Sequence, residues 1–390
     1  MISPRTLADT GNDPPLLAIE STCDETAAAV LTRSGRVLGQ CVATQELLHE
    51  QFGGVVPEIA ARAHLERIVP VVRTALHEAG LVGRQLAAIA VADRPGLAGS
   101  LLVGVVAAKS LAIAWDKPLV AINHLHAHLF ACTMKPSREG RLPGERRPPA
   151  EGNDSEEGVG GHSQRPGVEA YPQTDSFYPA VGLIVSGGHT SLYHCRNPLD
   201  LEYLGGTIDD AAGEAFDKVA AMLGLDFPGG VEVARLAREG DETAYSFPRS
   251  MMRNGGDDFS FSGLKTAVRY AITGPGRQDF SDIRLSDQTK ADLCASFEAA
   301  VVDVLVAKSR RAVRRRSVKN LLVGGGVAAN HRLRNQLRQA ADTDGFAVHV
   351  APPNLCTDNA VMGAIAWQKI DRGEFATLDL DITPGLQRGF

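Results

Sequence analysis

Residues 16–31 read L-L-A-I-E-S-T-C-D-E-T-A-A-A-V-L, an apolar run, a polar turn and a second apolar run. Leu16–Glu20 reads as an apolar strand. Ser21–Glu25 is the turn and Thr26–Leu31 the return strand; Gly35 then leads into a third strand, Val37–Thr44. The same design returns at Ala180–Ser186, the turn Gly187-Gly188 and Thr190–His194. Two such hairpins, each opening an α/β half, predict a duplicated architecture with a cleft between the halves. The sequences of the two hairpins do not match closely, so the echo is one of pattern.

Outward from the first hairpin, Pro57–Ala79 has helical spacing, with a kink or break expected at Pro70. Leu86–Ala92 is strand-like, Pro95–Gly99 a glycine-rich turn, and Leu101–Ala114 a helix. The long apolar stretch Leu97–Trp115 carries Lys109 and two glycines and runs on into a strand, which favours a buried helix over a membrane span. After the second hairpin come helices over Asp209–Leu223, Val231–Arg238 and Thr289–Arg316, with Asp209 and Asp210 expected in the first turn of their helix. Asn320–Val323 is a strand, Asn330–Ala340 a helix, Val348–Ala351 a strand, and Thr357–Ile370 a last helix starting at Thr357 or Asp358. Residues 133–177 are rich in Pro, Gly, Glu, Arg and Ser, a composition that buries too little apolar surface to fold alone.

The chemistry gathers first around V-A-I-N-H-L-H-A-H-L-F, Val120–Phe130. Val120–Ile122 ends a strand and Asn123 can cap the segment after it. His124 and His128 stand four apart, so a helix puts both imidazoles on one face and His126 elsewhere. Such a pair is either a chelating edge for a transition metal or two ordinary helix histidines. Asp358, in Cys356-Thr357-Asp358-Asn359, is the best third ligand; a carboxylate at a helix start is either an N-terminal cap, the commoner case, or a metal ligand. A His, His, carboxylate set with open positions suits iron or zinc. Three small-residue turns end strands, at Ser186–His189, Gly324–Val327 and Pro95–Gly99, and free backbone N–H groups there can cradle a phosphate. Asp24 and Glu25 lie in the first hairpin turn, either solvated or orienting a metal, a water or an attacking amine. Asp217 and Lys218 can contact ribose hydroxyls or form a surface pair. Lys308, Arg310, Arg311, Arg314, Arg315, Arg316 and Lys319 make the strongest basic run, either a grip on RNA phosphates or the solvated end of a helix.

The chain has 390 residues, 44% hydrophobic and 22% charged, a balance that supports a large core and more than one domain. Its net charge of −6 excludes a protein built as a whole for nucleic acid; any RNA contact must be local or come through a partner. Six scattered cysteines without a C-x-x-C pair point to reduced thiols in a cytoplasmic protein. Met1–Pro15 is polar, with no secretory apolar core, and reads as a flexible extension.

Taken together the motifs fall in one order. They are E-S-T-C-D-E-T-A-A-A-V (Glu20–Val30), H-E-Q-F-G-G-V-V-P-E-I-A-A-R-A-H (His49–His64), N-H-L-H-A-H-L (Asn123–Leu129), V-S-G-G-H-T (Val185–Thr190), D-D-A-A-G-E-A-F-D-K (Asp209–Lys218), F-S-F-S-G-L-K-T (Phe259–Thr266), G-G-G-V-A-A-N (Gly324–Asn330) and C-T-D-N-A (Cys356–Ala360). In this the chain resembles the TsaD family, tRNA adenosine threonylcarbamoyltransferases once described as glycoproteases. The resemblance implies an α/β actin-like (ASKHA) fold of two duplicated RNase H-like halves. One would comprise residues 16–132 with 357–390 and the other 178–356, with residues 133–177 inserted. It implies transfer of threonylcarbamoyl from threonylcarbamoyl-AMP to the N6 amine of the adenosine on the 3′ side of the anticodon in ANN-decoding tRNAs, releasing AMP. His124, His128 and Asp358 would hold one metal ion, Fe(2+) or Zn(2+). Val185, Ser186, Gly187, Gly188, His189, Asp217, Gly230 and Asn330 would bind the adenylate, with Asp24 and Glu25 facing the reacting group. The partners implied are tRNA, a TsaB-like and a TsaE-like protein, and no membrane. The family pattern is departed from at Arg94, Val231 and Ala234, which implies fewer ribose contacts beside Gly230. Two other classes compete. A metalloprotease would need H-E-x-x-H, but Leu125 follows His124. An actin-like ATPase or kinase would turn over ATP steadily without tRNA.

Overall fold

The computed structural model describes residues 15–49, 52, 54–134, 176–252, 256–274 and 283–385. The expected N-terminal extension and nearly all of the expected insertion lie outside the described residues. In chain order the first part runs β1 (Leu16–Glu20), β2 (Glu25–Leu31), β3 (Val37–Thr44), α1 (Glu46–His49), α2 (Pro57–Ala79), β4 (Ala88–Arg94), α3 (Ala98–Trp115), β5 (Leu119–Asn123) and α4 (His124–Ala131). The second runs β6 (Ala180–Val185), β7 (Thr190–Asn197), β8 (Asp200–Gly206), α5 (Ala212–Met222), α6 (Gly229–Leu236), α7 (Ser262–Thr273), α8 (Asp287–Arg316), β9 (Asn320–Gly324), α9 (His331–Asp344) and β10 (Ala347–Val350). A 3-10 turn, Ala360–Ile365, then leads into α10 (Ala366–Asp371).

The two sheets have one topology. The first is ordered β3-β2-β1-β4-β5 and the second β8-β7-β6-β9-β10, each an antiparallel meander extended by two parallel strands. Side-chain alternation sorts the first sheet's faces. Leu17, Ile19, Ala28, Val30, Ile89 and Val91 pack against α2 and α3. Leu16, Ala18, Ala27, Ala29, Ala88 and Ala90 face a core that runs on into the second sheet. The small side chains on that face admit the 3-10 turn: a Cβ on Gly363 would lie 2.6 Å from the Cβ of Ala18. The parallel strands put the carboxyl ends of β1, β4 and β5 on one edge and those of β6 and β9 on the matching edge, where open α/β sheets bind ligands.

Several elements differ from expectation. The second helix runs unbroken through Pro70, because Pro70 and Glu66, whose carbonyl loses its donor, both lie on the exposed face. The strand β8 has no apolar run to announce it, since Asp200 and Glu202 alternate with half-buried residues. Asp209 and Asp210 precede α5, which starts at Ala212. The last helical segment starts with the 3-10 turn at Ala360, beyond both Thr357 and Asp358. α3 is long and apolar enough to cross a bilayer by length and composition, yet Leu101, Val105, Ala108 and Ala112 are buried, with Val105, Ala108 and Ala112 packing in the core of the first sheet.

Candidate metal and adenylate site

β5 delivers the paired histidines. Asn123 ends the strand and its Oδ1 accepts from the N–H groups of Leu125 and His126, at 2.9 and 3.2 Å. That cap starts α4 at His124 and puts His128 one turn on, both buried. Their rings meet edge to face with centroids 4.5 Å apart. Nε2 of His128 is 3.0 Å and Nε2 of His124 3.5 Å from the same Asp358 Oδ1. The three donor atoms lie within 4.8 Å of one another. Whether Asp358 caps a helix is answered by its neighbour. Asn359 accepts from Met362 N–H and caps the 3-10 turn, which leaves the Asp358 carboxylate to the imidazoles.

The far side of His124 is also held. Its Nδ1 lies 3.2 Å from Glu20 Oε2 and 3.1 Å from Thr22 Oγ1. A carboxylate on the remote nitrogen fixes the ring and aims Nε2 at the site, the usual support for a metal-ligating histidine. Burial alone would lower the His124 pKa, but the Asp358 and Glu20 carboxylates outweigh it and raise it to about 9. Burial pushes the Asp358 carboxyl up, and His124 and His128 overcome this and hold it well below the carboxylate range. His126 points elsewhere, among Lys369 and Arg94, and burial with those cations lowers it to about 4.

Asp24 and Glu25 stand beside this set, since Asp24, Glu25 and Asp358 also place their oxygens within 4.8 Å of one another. Burial, then the charges of Asp358 and Asp24, push the Glu25 carboxyl far up. The turn holding them is pinned by His64, whose ring bonds Thr26 Oγ1 at 2.8 Å and the Cys23 carbonyl at 3.0 Å.

Across the cleft, the Ser186–His189 turn closes on itself: Ser186 N–H donates to the His189 carbonyl at 2.7 Å, and His189 N–H to Ser186 Oγ at 3.1 Å. Val185 is buried beneath it, while Gly187 and Gly188 are exposed, with open space around them. Burial, then the charge of His124, lowers His189 to about 4. Asp217 and Gly230 come together, for the Asp217 carboxylate accepts the Gly229 N–H at 3.0 Å and the Gly230 N–H as well. Lys218 is not its partner; it pairs with Asp210 and Glu214. Asn330 caps α9 through Leu333 N–H and donates to Glu298 Oε1 at 2.6 Å. The Pro95–Gly99 turn is no open cradle, because Leu97 N–H donates to the Thr22 carbonyl at 2.9 Å.

The family model for TsaD, tRNA N6-adenosine threonylcarbamoyltransferase, matches residues 36–145 and 160–365. The chain belongs to the TsaD family. It is 66% identical over 384 residues to a tRNA N6-adenosine threonylcarbamoyltransferase of Rhodopirellula baltica, covering 96% of this chain and 98% of the relative. It is 45% identical over 377 residues to the one from Symbiobacterium thermophilum, covering 96% and 97%. Membership makes the chain a transferase of tRNA modification. Among solved structures, T. kodakarensis HypF superposes with a TM-score of 0.53 at 13% identity, covering 94% of this chain and 48% of that one, and shares its actin-like fold.

Arg94, where TsaD chains were expected to carry glycine, has a local reason. Its Nε bonds Oδ2 of Asp93 at 2.9 Å and so neutralises a buried carboxylate at the end of β4. Sequence reasoning assigned no role to Glu20 or Glu298. Both are buried acids, Glu20 ending an apolar strand and Glu298 amid the apolar residues of α8, and a charge in either place calls for a partner. Asn330→Ala should lower stability by about 2 kcal/mol in thermal melts, since it removes a cap and leaves the Glu298 carboxylate buried without its donor.

Proposed function

We propose that this chain transfers threonylcarbamoyl from threonylcarbamoyl-AMP to the N6 amine of the adenosine 3′ of the anticodon in ANN-decoding tRNAs, with one metal ion on His124, His128 and Asp358. The observation that carries the reading is the convergence of two Nε2 atoms and one carboxylate oxygen beside Asp24 and Glu25. The donor set fits: two nitrogens and one oxygen, with the remote nitrogen of His124 held by Glu20, suit Fe(2+) or Zn(2+). Such an ion, when bound, supplies Lewis acidity and a template for the carbamoyl group.

The chain's own groups do the rest. The N–H groups of the Gly187-Gly188 turn are aimed to stabilise charge on oxygen as the carbamoyl carbon becomes tetrahedral. Asp217, with the Gly229 and Gly230 backbone, and Asn330 hold the adenylate end. Asp24 and Glu25, sharing a hydrogen bond, orient the amine. The N–C bond forms as the amine adds, the C–O bond breaks as the tetrahedral carbon collapses, AMP leaves as its anion, and the amine's proton passes to water. An adenine amine is a poor nucleophile, so positioning supplies much of the acceleration. We assign residues 16–132 with 357–390 to one half and 178–356 to the other, following the two sheets. Exposed Leu65 and Val69 on α2 and Leu102 and Val106 on α3 support docking of a TsaB-like protein, and a TsaE-like ATPase and a cytoplasmic setting follow from the same reading.

Mass spectrometry of tRNA nucleosides after incubation with threonine, bicarbonate, ATP and the partner enzymes tests this. Threonylcarbamoyladenosine should appear only with this chain present. Its absence from the complete mixture, or steady ATP turnover by the chain alone, would reverse the reading.

Asp217 carries a pH signature. Burial raises its carboxyl from 3.8 to about 6. A raised carboxylate pKa penalises the ionised native state, so the cost is absent below pH 4, grows between pH 4 and 6, and is complete above. Asp217→Asn should therefore gain on the order of 2 kcal/mol at pH 8 and nothing at pH 4, while weakening AMP binding. Equal gains at both pH values in denaturant titrations would refute it.

A further inference from the structure

The basic run on α8 is only partly neutralised. Arg310 and Arg314 share Asp344, Arg315 pairs with buried Asp257, and Arg316 with Glu202, itself also bound to Arg196. Among the described residues Lys308 and Arg311 meet no carboxylate; they donate to the carbonyls of Met251, Met252 and Gly256. Six cations thus face three acids on a chain whose net charge is −6. Arg310, Arg311, Arg314 and Arg315 recur at helical spacing and, with Ala307, line one open recess of about 550 Å3.

A helix dipole accounts for cations in the last turn alone, and this stripe begins earlier, at Arg310. The same helix carries Glu298, which holds Asn330 at the adenylate end. At about 1.5 Å per residue, the recess lies about 18 to 26 Å along α8 from Glu298. We infer that this arginine recess is a docking groove for the phosphodiester backbone of the tRNA, gripping it without reading sequence. The inference rests on the transferase reading for the identity of the RNA.

The test uses Arg311→Gln with Arg314→Gln, which leaves Asp344 to Arg310 and Asp257 to Arg315. The double variant should raise the KM for tRNA about tenfold at unchanged kcat. Its plot of log affinity against log salt should flatten by about two, one for each phosphate no longer gripped. Arg311→Lys with Arg314→Lys should restore both, and an anticodon stem-loop of scrambled sequence should lose affinity equally. Arg314→Gln alone, which removes no carbonyl contact, should flatten the slope by about one and guards against a folding defect. Unchanged KM and slope overturn the groove, and so does loss of partner-protein binding with tRNA affinity intact. The stem-loop measurement needs no acyl donor. It therefore decides the groove even if no modified nucleoside forms and the transferase reading fails.

Discussion

Asp358→Ala should abolish threonylcarbamoyl transfer, lowering kcat/KM at least about 10³-fold, or about 4 kcal/mol of transition-state stabilisation. The expectation follows from where one oxygen sits. Oδ1 of Asp358 lies 3.0 and 3.5 Å from the two imidazole Nε2 atoms, and its carboxylate also closes the cluster with Asp24 and Glu25. Glu20 cannot take its place, because it is engaged on the opposite nitrogen of His124. The fold should persist. Asp358 lies on a bend outside any helix, and Asn359 keeps the cap on the 3-10 turn. Removing the charge also relieves the field that pushes Glu25 up. Metal analysis should find the ion lost with Asp358→Ala while the melting temperature stays within a few degrees of the parent. Transfer at parental rate by the variant, or by chelator-stripped protein, would remove these three side chains from the reaction.

The two hairpins were legible because nothing competes with an unbroken apolar run ended by a polar turn. Leu16–Glu20 and Val37–Thr44 fall where their residues predict. What the pattern could not supply was any signal tied to long-range pairing. β8 is a strand because β7 offers it an edge, not because its own residues alternate cleanly. The duplication is invisible in residue identity and plain in strand order, since topology is set by which edges remain unpaired. At the site, the paired histidines and Asp358 were readable as ligand types at helical spacing. The choice between cap and ligand was not, for it turns on Asn359, one residue on, taking Met362 N–H. Glu20 and Glu298 act through His124 and Asn330 across 104 and 32 residues of chain, and local spacing carries no trace of such pairings.

Gly325→Ala should cost about 3 kcal/mol of stability and most of the affinity for AMP. Gly325 follows β9 at φ +95°, a region that side chains other than glycine's rarely enter. A Cβ there would also lie 2.5 Å from the Val185 carbonyl oxygen and 2.8 Å from its carbon, and both are backbone atoms of a buried strand end that cannot swing aside. Strain and overlap add, placing the change among the severe single substitutions. The functional loss comes from the turn that Val185 leads into. Relief of the clash must move the end of β6 and with it the Ser186–His189 turn, where Gly187 and Gly188 are exposed. Neighbouring Gly324 is as tight on the other side, since a Cβ there would sit 2.8 Å from the His128 carbonyl oxygen. The glycine turn is therefore where the second half presses on both the Ser186–His189 turn and α4, and side-chain bulk there should disturb both. Gly326, with open space around it, is the control: Gly326→Ala should leave melting temperature and AMP affinity near parental values. Equal tolerance at 325 and 326, measured by thermal melts and AMP titration, would show that close approach at this turn is not what positions the site.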